Sequence, residues 1–339
     1  MKKEGHHGKG FKLLSRGDPK PNWFGGKSKV AHIVWQAFGN VPNFVEPFFG
    51  SGAVLLGRPE MGKIETVNDL DGFVCNFWRA VKHDPEQVAS YADYPVNEND
   101  LHARHIWLVS QKETLSKRLE GDIDYFDAKI AGFWVWGICC WIGGGFCSGN
   151  GPWISVDGKL QKKDNDAGKG VNRNLIHLGN AGTGVNRKLI HLGDAGKGLL
   201  DWMQSLSNRL RFVRVASGDW TRVLGPSVTR FSSMTGVFLD PPYDTSMRSH
   251  SLYNEDASMS DDVFAWCMVN GDNKMIKIAL CGYEGEYNFP DTWQKFEWKS
   301  GGGYLGGQSS VSSENREKER IWFSPSCNRI EKRQLNLFG

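Results

Sequence analysis

None of the seven cysteines in this 339-residue chain stands at C-x-x-C spacing, and most lie in apolar stretches. That pattern excludes a zinc ribbon and a disulfide framework, both of which need thiols in close, regular pairs. No metal is expected. Long apolar runs are also missing: residues 132–146 are too short to cross a bilayer, and the basic start, residues 1–10, is not followed by a signal-type apolar stretch. No membrane partner is expected, and the cytoplasm is the default location. Nor does one sign of charge dominate. With 41 Lys+Arg against 38 Asp+Glu the formal net charge is +3, so any nucleic-acid surface has to be a local patch. The length allows one large core plus an insertion.

The stretch that carries most chemistry is Asp240-Pro241-Pro242-Tyr243, which comes after the apolar run Val237, Phe238, Leu239. It therefore sits at the carboxyl end of an expected buried strand, where open α/β sheets place their ligands. The prolines fix φ and donate nothing, leaving carbonyls free, and the tyrosine face can stack on a planar ring. Such a rim suits a planar group with an exocyclic amine, whose hydrogens the Asp240 carboxylate and a neighbouring carbonyl can accept. A D-P-P-x loop that merely ends a strand would read the same way, so the rest of the chain has to decide.

Residues 43–54 read as a short strand, a glycine turn with Gly50 and Gly52, and an apolar helix start. Glycines there let backbone approach a ligand at a helix N-terminus, although any tight strand-to-helix turn uses them too. Nineteen residues after Gly50, a strand ends in Asn68-Asp69-Leu70-Asp71, where nucleoside-binding α/β units place an acid for ribose hydroxyls. A third strand end, Ser217-Gly218-Asp219-Trp220, offers one more acid on the same expected edge.

Taken in order, these motifs resemble those of the Dam-type, S-adenosylmethionine-dependent DNA adenine-N6 methyltransferases. Trp23-Phe24-Gly25-Gly26-Lys27 resembles the family's W-x-G-G-K motif, Glu46-Pro47-Phe48-Phe49-Gly50-Ser51-Gly52 its cofactor loop, Asn68-Asp69 its ribose acid, Gly218-Asp219-Trp220 its adenine-ring contact and Asp240-Pro241-Pro242-Tyr243 its catalytic D-P-P-Y. The likeness covers residues 20–90 and 210–325 and fades between them. It implies a Rossmann-like α/β fold, a mixed, mostly parallel sheet flanked by helices, with an inserted helical and looping target-recognition domain. It also implies S-adenosylmethionine as cofactor, held by Trp23, Lys27, Glu46, Pro47, Phe48, Gly50, Gly52, Asp69 (Asp71 as fallback), Asp219 and Trp220. Asp240, Pro241, Pro242 and Tyr243 would hold a flipped adenine. Double-stranded DNA is the expected partner, with a cognate restriction endonuclease as a further one, and the protein is expected to act as a monomer. Methylation of another amine (cytosine N4 or a protein amide) and a silent DNA-binding module are the rival readings.

The expected organisation is a polar start (1–20), a discontinuous catalytic domain (21–90 and 208–330), an insertion (91–207) and a tail (331–339). Helix-spaced apolar residues occupy 29–38 and 72–82, and strand cores are expected at Val45, Val67, 213–215, 237–239, 276–280 and 320–323. In the insertion, Tyr125, Phe126, Phe133, Trp134, Trp136 and Trp141 read as packing residues of a helical stretch. A fourteen-residue repeat occupies 167–198, with Asn172-Arg173 and Asn186-Arg187-Lys188 in register. Arg173, Arg187 and Lys188 are the candidate DNA contacts, against the alternative of a duplicated solvated linker. Residues 244–260 are expected to form a loop over the site.

Overall fold

The computed structural model describes residues 26–141, 146–147, 153–156, 159–162, 198–229, 233–242, 254–298 and 319–331. Trp23, Tyr243, the fourteen-residue repeat with Arg173, Arg187 and Lys188, and most of the expected loop 244–260 lie outside them.

The central strands carry apolar side chains on both faces, Phe44 and Val45 in β1 (Asn43–Glu46) and Val237, Phe238 and Leu239 in β6 (Thr235–Leu239), as a parallel sheet covered on both sides requires. β1 and β6 are buried at every position. With β2 (Ile64–Asp69), β5 (Val213–Ser217), β7 (Ile276–Tyr283), β8 (Gln294–Glu297) and β9 (Glu319–Phe323) they build one sheet in the order β5-β2-β1-β6-β7-β9-β8. The first five strands run parallel, whereas β9 is antiparallel to both β7 and β8. A separate antiparallel pair, β3 (Trp153–Val156) and β4 (Lys159–Lys162), lies within the expected insertion.

Period-two alternation splits the core into two layers. Phe238, Ala279, Cys281, Ile321 and Phe323 point to one face, where they meet α1 (Ala31–Phe38), α3 (Gly72–His83) and their neighbours. Val237, Leu239, Ile276, Ile278, Leu280 and Trp322 point to the other, against α9 (Asn254–Asn270) and a 3-10 turn at Trp220–Val223. This is the expected α/β architecture, helices on both faces of a mostly parallel sheet.

The sequence signals that start these helices are visible as caps. The Asp71 carboxylate accepts from Phe73 N at the start of α3, Asn97 caps α5 (Glu98–Gly121) and Asp127 caps α6 (Ala128–Cys140). Gly39, at φ 65, ends α1 in a conformation that suits glycine.

Two expectations need correction. Residues 254–260 are helical, the first turns of α9, so any loop over the site is shorter than expected. Tyr125 and Phe126 precede α6 and Trp141 comes after it, although all three do pack on the core as expected. The hydrophobic core also runs on across residue 91. α5, α6 and α7 (Leu199–Leu210) contribute Leu108, Leu115, Trp134, Trp136, Trp202 and Leu206 to the same buried cluster as α3 and α4 (Pro85–Ala92). Arg79 of α3 reinforces the join, donating to the carbonyls of Leu119, Asp122 and Tyr125.

Candidate active site

The parallel strands present their carboxyl ends along one edge, and the sheet order reverses direction between β1 and β6, the point where such sheets open a crevice. Four loops meet there. The turn after β1 carries Gly50 and Gly52 with φ of 45 and 64, on the side of backbone space where a side chain is strained. At Gly52 a Cβ would stand 2.7 Å from the Phe49 ring. At Gly50 it would meet nothing within 4 Å, so open space lies beside this backbone. Gly52 also precedes α2 (Ala53–Leu56), whose Leu55 N donates to the Glu46 carboxylate.

The β1 turn is held by the next strand. Gly50 N donates to Asp69 Oδ2 at 2.8 Å and Phe49 N to Asn68 O at 2.9 Å, while Trp78 Nε1 from α3 reaches Gly50 O at 3.0 Å. Asn68, buried, donates from Nδ2 to Pro47 O and Gly218 O at 3.1 and 2.9 Å, tying the loops after β1 and β5 together. This tying role of Asn68 was not foreseeable, because nothing in its spacing reveals two carbonyls converging on one amide. Burial pushes the Asp69 carboxyl up to about 6, against the backbone N–H groups of Asp71 and Gly50 that favour its charge. Burial likewise drives the Glu46 carboxyl well above the ordinary range.

After β5, Gly218 takes φ 131 and Asp219 caps the 3-10 turn by accepting from Thr221 N. Asp219 is exposed at the edge, and Trp220 behind it stacks on Phe48 with ring centroids 6.1 Å apart. Of the paired acids, Asp71, the fallback, is engaged in its cap, whereas Asp69 faces the glycine turn.

After β6 come Asp240, Pro241 and Pro242. Lys27, in the 3-10 turn Gly26–Lys29, reaches this loop: its Nζ is 3.1 Å from Asp240 Oδ1 and 3.5 Å from Glu319 Oε2. Sequence resemblance puts Lys27 on the cofactor wall; these two ion pairs tie it to the turn after β6 and to the first residue of β9. Its ammonium lies over the Trp298 indole, 5.3 Å from the centroid. Burial would lower the lysine's pKa, but Asp240 foremost, with the Cys281 thiol and Glu319, raises it above the ordinary value. Glu319 was missed because its place on this edge depends on β9 running antiparallel to β7, with Glu319 opposite Tyr283.

Among the described residues no group of three His, Cys, Asp or Glu side chains is placed to hold a metal, and no helix is long and apolar enough to cross a membrane. No curated protein matches the chain. Residues 23–130, about a third of the chain, match the family model of the D12 class N6 adenine-specific DNA methyltransferases. That segment, which holds the Lys27 turn, the glycine turn and Asp69, is similar to this family, and the edge it forms continues into Asp219 and Asp240 beyond the matched residues.

Proposed function

We propose that the protein transfers a methyl group from S-adenosylmethionine to N6 of adenine at a short specific sequence in double-stranded DNA. The observation that carries this reading is the position of Asp240-Pro241-Pro242 at the carboxyl end of β6, across the switch point from the Gly50 turn. The residues present fit the proposed cofactor: open space stands at Gly50, a carboxyl at Asp69 beside it suits ribose hydroxyls, and an exposed acid at Asp219 suits an adenine amino group. Bound there, S-adenosylmethionine supplies an electrophilic sulfonium methyl.

The adenine N6 lone pair is delocalised into the ring, so the amine has to be unstacked and held with that lone pair toward the methyl. Asp240 and the Pro241 carbonyl accept the two amine hydrogens. Tyr243 stacks on the base, an assignment that rests on the sequence. With the cofactor bound, the amine would take the methyl as the S–C bond electrons stay on sulfur, and Asp240 or water would take the proton that leaves the methylated amine. Orientation rather than a strong base does most of the catalysis. Arg173, Arg187 and Lys188 of the repeat are proposed to touch DNA.

Asp240→Ala is the direct test. It is expected to leave cofactor binding nearly intact and to cut methyl transfer by at least ~100-fold, as loss of an orienting acceptor does. Nucleosides separated from digested DNA identify the product; N4-methylcytosine would replace this reading with its nearest rival.

A further inference from the structure

Two carboxylates share one ammonium at the edge of the site. Lys27 lies between Asp240, from the end of β6, and Glu319, from the start of β9, and the side chains of Lys27 and Glu319 are only 10% and 14% exposed. With so little water to screen the charges, removing one carboxylate cannot be made good by solvent. Glu319 is fixed in place by its strand: it pairs with Tyr283 across the sheet, and its carbonyl accepts from Trp298 N.

We propose that Glu319 is a positioning residue for methyl transfer, acting through Lys27 to keep the Asp240 carboxylate open to the target amine. The inference rests on the reading that Asp240 accepts the amine hydrogens. With both carboxylates present, the attraction of the ammonium is divided, and Asp240 keeps acceptor strength for a second donor. Without the Glu319 charge, Lys27 closes on Asp240, and the amine has to compete with a tighter, charge-assisted contact at Oδ1. The cofactor contacts proposed at Gly50, Asp69 and Asp219 belong to the ends of β1, β2 and β5, and Glu319→Gln leaves Lys27 itself in place, so the loss falls on the chemical step rather than on binding.

Glu319→Gln is expected to lower kcat about 10-fold while KM for DNA and for cofactor stays within about twofold, the signature of an interaction that acts in the transition state. Glu319→Asp, which keeps the charge, is expected to retain at least about a third of the wild-type rate. A role through Lys27 makes the losses non-additive: in a Lys27→Met background, Glu319→Gln is expected to change kcat by less than about twofold. A second readout does not depend on methyl transfer. The Lys27 ammonium, followed through its Cε NMR signal at neutral pH, is expected to shift in Glu319→Gln as it closes on Asp240. Additive losses in the double variant, or an unchanged signal, would overturn the inference alone. A wild-type protein that methylates no DNA base would overturn the proposed function, and with it the role but not the measured coupling.

Discussion

At the scale of single residues, Asp69 gives the clearest pH dependence. Its carboxyl is held up to about 6, above the roughly 3.9 of a free aspartate, so the folded protein binds this proton more tightly than the unfolded chain does. Its contribution to stability is therefore fully present below the unfolded value and is lost as pH rises through about 6. In the proposed function ribose hydroxyls would donate to the charged form, so cofactor binding should run the other way. Affinity for S-adenosylmethionine is expected to climb as pH rises through about 6 and to level off above it, with proton release on binding near that pH. Calorimetry across the range checks this, and Asp69→Asn should flatten the curve; an equally steep curve in that variant would assign the titration elsewhere. Asp69, Gly50, Gly52 and Asp240 were legible in the sequence because each ends a strand or forces a turn. Lys27's partner Glu319 was not, since it is 292 residues away and no local pattern records such a contact.

Elements are joined by a buried charge cluster at the other end of β2. Glu65 takes Arg58, at 3.1 Å, and Arg209 of α7, at 2.6 Å, and Arg209 also donates to Leu55 O at the end of α2. Arg58 further covers the Trp35 ring of α1. One carboxylate thus links a strand to three helices, and Glu65→Ala would leave two guanidinium groups buried beside each other. The expected cost is about 3–5 kcal/mol, read as a lower urea midpoint with an unchanged slope. A loss under about 1 kcal/mol would mean that water replaces the carboxylate there. Strands and the first helices could be read from period-two and helical spacing, but α5 could not. Its buried Leu101, Leu108, Leu115 and Leu119 are spread through a polar 24-residue sequence, so its core contact shows only once α3 and α6 are beside it. β3 and β4 escaped for a different reason, being four residues each and polar in their second strand.

For the whole molecule, a net charge of +3 leaves DNA attraction to local clusters, and the fourteen-residue repeat, with Arg173, Arg187 and Lys188, is the candidate cluster. Excising one copy, residues 181–194, keeps the repeat register from residue 195 onward and spares every candidate cofactor residue. Cofactor binding should survive, DNA affinity should fall, and the slope of log K against log salt should become shallower by about one unit for each phosphate no longer neutralised. Unchanged salt dependence would make the repeat a linker. The sheet order carries one more consequence, for truncated chains. β8 is made before β9, yet its only strand partner among the described residues is β9, which inserts between it and β7. Without β9, β7 would present an unpaired edge, β8 would have no neighbouring strand among the described residues, and Lys27 would face Asp240 without Glu319. The same strand therefore closes the sheet and completes the charge arrangement, so a chain cut short before residue 319 would carry an open edge and an unbalanced site together.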